Sequence, residues 1–119
     1  MGTLGGAPPA WVESASDSRW LSYGSNCWAA GGKAACVDYL PPERRTDLAE
    51  ISVRGGASVR LHFAFAPKKV QLEPVAAKRA ATLRPARVVT WRPARSMRFV
   101  VVALTEGGSA TYVGAVRVT

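Results

Sequence analysis

Histidine occurs once in this chain, cysteine twice, and carboxylates number eight against sixteen lysines and arginines. Each shortage removes a class of chemistry. His62 stands alone on the polar side of an alternating segment and reads as an ordinary exposed ring, so an imidazole-based catalytic dyad is not expected. A structural zinc site needs about four Cys, His or carboxylate ligands at suitable spacing. Here the two cysteines are expected to consume each other. Asp17, Asp38, Glu43 and Asp47 lie near them in sequence and supply what a calcium site would draw on, but Asp38 reads better as an acceptor for turn amides. There is no Gly-x-Ser-x-Gly elbow, no His-Glu-x-x-His and no phosphate-cradling glycine loop ahead of a helix. The expectation is a non-enzymatic protein without a cofactor or metal.

Long apolar runs are missing too. The longest, Phe99 to Leu104, is far short of the roughly 18 residues that cross a bilayer as a helix. Residues 1–10, MGTLGGAPPA, have neither the basic start nor the apolar stretch of a signal peptide, and their Gly, Ala and Pro content suits a flexible tether or a non-native start. Residues 11–119 are then one domain, since 119 residues leave no room for two ordinary cores. A hydrophobic fraction of 48% with 20% charged residues belongs to a globular chain with a core.

What the sequence does have is period-two patterning. Val59, Leu61, Phe63 and Phe65 alternate with Ser58, Arg60, His62 and Ala64, the repeat of a half-buried strand. Ile51 and Val53 form a shorter strand just before it, and Gly55-Gly56 suggests a tight connection pairing the two. Val70 and Leu72 lead a further strand ending at Pro74. Val75 to Leu83 is rich in helix formers yet hemmed by prolines, and reads as a loop or irregular strand. Val88 to Trp91 resumes strand character, and Met97 to Thr105, a Gly107-Gly108 turn and Ala110 to Thr119 make a closing hairpin. These runs predict an all-β, antiparallel sandwich of about seven or eight strands.

Cys27 and Cys36 bracket Gly31-Gly32, a natural reversal between two short strands, and such a hairpin would bring the sulfurs together. A disulfide there implies an oxidising compartment. Trp28, directly after Cys27, is expected to pack on the bond. Trp20 and Trp91 are open between core and binding roles, and Trp11 between exposure and pinning the first strand.

The segment Gly24-Ser25-Asn26-Cys27-Trp28, followed by Cys36-Val37-Asp38-Tyr39 and Pro41-Pro42, resembles the opening of small bacterial secreted domains and lipoproteins. The likeness runs on through Gly56 to Phe65, Pro67 and the closing hairpin with Tyr112. It implies an immunoglobulin-like sandwich, an extracytoplasmic location, secreted or attached to the cell surface, and a Cys27 to Cys36 bond. The two cysteines are too close in sequence for the inter-sheet disulfide of antibody domains, so the chain departs from true immunoglobulins.

The formal charge is +8 with a pI near 10.3. It is unevenly placed: ten basic residues lie between Arg60 and Arg98 against Glu73 alone. Lys68, Lys69, Lys78, Arg79, Arg84, Arg87, Arg92, Arg95 and Arg98 are therefore the candidate binding residues. Their field would attract an anionic polymer, an acidic membrane surface or an acidic envelope protein. No recognised nucleic-acid module is present. The first functional expectation is a binding module for anionic polymers or surfaces. The alternatives are an accessory domain docking on a protein partner at the cell envelope, and an enzyme with an unrecognised site.

Overall fold

The computed structural model describes residues 8–24, 26–30, 33–37, 48, 50–76, 79–106 and 108–119. Among them are twelve strands and no helix: β1 (Ala10–Glu13), β2 (Ser18–Trp20), β3 (Ser22–Tyr23), β4 (Asn26–Ala30), β5 (Lys33–Val37), β6 (Glu50–Val53), β7 (Val59–Phe63), β8 (Lys69–Pro74), β9 (Ala81–Leu83), β10 (Val88–Trp91), β11 (Met97–Thr105) and β12 (Gly108–Val118). They form a four-stranded sheet, β10-β7-β1-β2, and an eight-stranded one, β5-β4-β12-β11-β8-β9 with β3 and β6 also on β12. All pairings are antiparallel except β6 on β12.

The strand count exceeds the expected seven or eight because one long strand is served by several short ones. β12 pairs with β11 from Gly108 to Val116 on one side, while β4, β3 and β6 take successive stretches of its other side. The closing hairpin is thus the spine of the larger sheet. β11 is flanked by β8 and β12, and Phe99, Val101 and Ala103 point into the core while Val100, Val102 and Leu104 are half-buried.

Both sheets contribute to one core. Val12, Val59, Leu61, Phe63 and Val89 come from the smaller sheet, and Ile51, Val70, Leu72, Phe99, Val101, Tyr112 and Val116 from the larger. The period-two pattern puts these side chains inward and leaves the alternate residues of β1, β7 and β10 on the opposite, outer face. That division creates the candidate site below.

One expected pairing is overturned. β6 does not pair with β7; it runs parallel to β12 in the larger sheet, whereas β7 is central in the smaller one. The connection, in which Ala57 N–H bonds to Arg54 C=O and Gly56 takes φ of 83°, carries the chain across the core instead of folding it back along one sheet. Ile51 and Val53 on one side and Val59 and Leu61 on the other gain more by sharing a buried layer than by sharing a ladder.

The chain also crosses between the sheets at Leu21, between β2 and β3. Its N–H bonds to Ala10 C=O at 2.9 Å, and its side chain closes over Gly114. A Cβ on Gly114 would lie 2.7 Å from Leu21 Cδ2 and 2.9 Å from Phe99 Cζ, so this close approach needs glycine. Tyr112, fully buried, donates from its hydroxyl to Pro8 C=O at 2.6 Å and so ties the segment entering β1 to the core. Burial, with Tyr23 beside it, pushes the Tyr112 phenol well above its ordinary value.

Candidate binding face

The predicted basic residues do not form one surface. Lys68, Lys69, Arg79, Arg84, Arg87, Arg92, Arg95 and Arg98 are all exposed, and Lys78 lies outside the described residues. The β8–β11 register sets Lys69 opposite Leu104, while Val75, just past β8, bonds to Arg98 C=O at the other end of β11. Six residue steps along β11 lead from Arg98 to Leu104, about 20 Å at the rise of an extended chain. Lys68 is paired with Glu106 at the first end. At the second, Arg95 and Arg98 border a hollow of about 530 Å³ with Pro74, Val75, Ala76 and Met97. Arg84 and Arg87 belong to the β9–β10 connection, and Arg87 and Arg92 bracket β10, an edge of the smaller sheet.

That smaller sheet carries the most organised outer face. Cross-strand register places Trp20, Trp11, His62 and Val88 in one row over β2, β1, β7 and β10. Ser18, Glu13, Arg60 and Thr90 form the next row. Both rows face away from the core because their strand neighbours Ala10, Val12, Leu61, Phe63 and Val89 face into it.

The first row is aromatic. The His62 ring lies flat on Trp11, with centroids 4.8 Å apart and planes 2° apart. Trp11 meets Trp20 edge to face at 5.5 Å. Trp20 remains 64% exposed and Val88 45%, unusual exposures for side chains of that size. A hollow of about 280 Å³ is lined by Trp11, Ser18, Arg19 and Trp20.

The second row fixes a carboxylate. Glu13 Oε1 lies 2.9 Å from His62 Nε2 and accepts from Arg60 through Nε at 3.2 Å and Nη2 at 3.1 Å. The His62 hydrogen bond, reinforced by Arg60 and opposed by partial desolvation, holds the Glu13 carboxyl below its ordinary value of 4.5. Asp17 pairs with Arg19 at 3.2 Å; Arg19 borders the hollow but stands opposite Val12 in the register, on the alternate phase of β2 from Ser18 and Trp20. The face thus combines flat apolar rings with a held carboxylate, Glu13, and its guanidinium partner, Arg60, with Arg87 and Arg92 at its β10 edge.

No protein family, curated protein or solved structure matches the chain. The face therefore has to be read from its own chemistry. It suits binding: stacking surfaces and preset hydrogen-bonding groups lie on rigid strands. The described residues hold no group of three or more His, Cys, Asp or Glu suited to a metal. Asp38, Glu43 and Asp47 of the expected acidic gathering lie outside the described residues, and Asp17 is engaged with Arg19.

The remaining tryptophans divide. Trp91 packs on Phe99 at 5.1 Å and belongs to the core layer, while the Trp28 side chain lies outside the described set. The sequence left Trp11 open between exposure and pinning the first strand, counted Arg60 only among the basic residues, did not single out Glu13, and gave His62 as an ordinary exposed ring. The usable signal was the period-two offset: in Ala10–Glu13 and Val59–Phe63 the non-core positions are Trp11, Glu13, Arg60 and His62.

The cysteines stand opposite each other in the β4–β5 ladder, and no cysteine among the described residues is free. Directly opposed antiparallel residues have Cα atoms about 4.5 to 5.5 Å apart, within the window a disulfide accepts. The Gly31-Gly32 reversal lies outside the described residues.

Proposed function

We propose that this chain is an extracytoplasmic, non-enzymatic binding module that takes an anionic polymer on the outer face of its four-stranded sheet. The observation that carries the reading is the outward-facing Trp20–Trp11–His62–Val88 row, whose two ends, Trp20 and Val88, leave large apolar side chains in water where folding alone would hide them. The net charge of +8 and the exposed Arg87 and Arg92 at the face's edge favour an anionic ligand.

The extracytoplasmic half rests on a Cys27–Cys36 disulfide, for which the opposed register is the support. In that reading the two sheets make an immunoglobulin-like sandwich braced by a hairpin bond rather than an inter-sheet one. A closed loop of about ten residues would contribute roughly 2.7 kcal/mol on the chain-entropy account.

The test is retention of the oxidised domain on an immobilised anionic polysaccharide at low and moderate salt. Retention that weakens steeply with salt and is lost in Trp20→Ala supports the reading. Retention unaffected by Trp20→Ala but lost on neutralising Lys68 and Lys69 moves the site to the far end of the larger sheet.

A further inference from the structure

The described surface offers three places to look for ligand chemistry: the Arg95–Arg98 hollow, the Lys68–Lys69 end of β8, and the tryptophan face. The hollow sets Arg95 and Arg98 among mostly apolar residues, without an aromatic ring, and its hydroxyl, Ser96, is already engaged with the Val118 backbone. The lysine end has its Lys68 charge answered by Glu106. Only the face joins stacking rings, a held acceptor and donors.

Resting on the binding reading above, we infer that the ligand is a carboxylate-bearing polysaccharide, with a sugar ring stacked on Trp20 in the corner that Trp11 makes with it. A pyranose ring has an apolar face of C–H groups carrying slight positive charge, and this face complements the electron-rich surface of an indole. Trp20 is 64% exposed and stands edge to face with Trp11, so a flat ring can lie on one indole while touching the other. The adjoining hollow of about 280 Å³ has Ser18 and Arg19 on its rim, a hydroxyl and a guanidinium for ring substituents.

Glu13 decides between sugars and other ring-bearing polyanions. A single-stranded nucleic acid also stacks rings and carries negative charge, but it sets a phosphate at every residue. A carboxylate held on this face, Glu13, would repel that backbone, whereas the hydroxyls of a sugar donate to it. His62 and Arg60 hold Glu13 in one place, so its free lone pairs are preset for such a donor.

On the smaller sheet Glu13 lies in β1, and Arg87 and Arg92, which have no ion pair among the described residues, bracket β10 at the edge away from β2. Three inter-strand steps separate β2 from β10, about 14 Å. A polysaccharide lying across the strands would put one residue on Trp20 and bring carboxylates further along to the arginines, which bind them bidentately.

The experiment uses the whole oxidised chain and four probes: polygalacturonate, polyglutamate, neutral dextran and a single-stranded oligonucleotide, each titrated at two salt concentrations. Polygalacturonate is expected to bind most tightly. Trp20→Ala should weaken it at least tenfold, the equivalent of about 1.4 kcal/mol. An Arg87→Gln/Arg92→Gln double variant should weaken it and flatten its salt dependence, and Trp20→Phe should bind between wild type and Trp20→Ala. Circular dichroism of each variant must match the wild type. Polyglutamate binding as tightly, with no effect of Trp20→Ala, would overturn the sugar inference and leave the anionic-polymer reading standing. An oligonucleotide that binds best, through Trp20, would also overturn it. Failure of all three anionic probes would sink the binding reading itself.

Discussion

Replacing Trp20 by alanine separates a residue kept for binding from one kept for folding. Trp20 is 64% exposed, so folding removes only about a third of it from water. Truncating a fully buried aromatic costs about 3 to 5 kcal/mol, so a third of that, including the edge-to-face contact with Trp11, is about 1 kcal/mol. For a domain of this size that lowers Tm by about 4 °C. Phe99→Ala is the internal standard. Phe99 is completely buried and touches Trp91, so its truncation should cost about 3 to 5 kcal/mol and about 12 to 20 °C. Urea unfolding followed by far-ultraviolet circular dichroism measures both without depending on the indole signal. A Trp20→Ala cost of 3 kcal/mol or more would refute the reasoning, since it would make Trp20 a packing residue.

Three further outcomes follow from the same geometry. Gly114→Ala places a methyl 2.7 Å from Leu21 Cδ2 and 2.9 Å from Phe99 Cζ and should cost about 1 to 3 kcal/mol. Its cost should shrink in a Leu21→Ala background, a coupling that a double-mutant cycle reads directly. In an alkaline absorbance titration, one of the three tyrosines should resist ionisation until the fold opens. Burial raises the native Tyr112 value above 10.0, so its contribution is present below pH 10 and is lost as pH rises towards the native value. Glu13 is shifted the other way: its contribution is present above its ordinary 4.5 and is lost as pH falls through the lower native value. Glu13→Gln should therefore flatten the acid limb of stability against pH, and an unchanged limb would show that the Glu13–His62–Arg60 cluster is not held in solution.

The sequence carried the strands better than their partners. Period two in Val59–Phe63 and the β11–β12 hairpin were plain because alternation and a glycine turn are local properties. β6 was misplaced because a Gly-Gly turn can fold a chain back along one sheet or carry it to another. The choice is made by which buried layer Ile51 and Val53 join, a non-local matter. The basic residues were legible as a composition but not as a surface, because sequence proximity of Lys69 and Arg98 says nothing of the strand length between them. The aromatic face was half legible. Trp11, Glu13, Arg60 and His62 occupy the off-core phase of two strong strands, but their adjacency needs β1 beside β7, a pairing across about fifty residues of chain. Trp20 had no local signal, since its strand is three residues long and exposed throughout.

The most direct test of the binding face is an indole nuclear magnetic resonance titration of the domain with a short galacturonate oligomer. Among the four tryptophans, the Nε1–H signals of Trp11 and Trp20 report the outer face and that of Trp91 the core layer. The account predicts that Trp11 and Trp20 shift in a saturable way while Trp91, packed against Phe99 in the core layer, stays still. Saturable shifts confined to Trp91 or to amides around Lys68 and Lys69, with Trp11 and Trp20 unmoved, would contradict it.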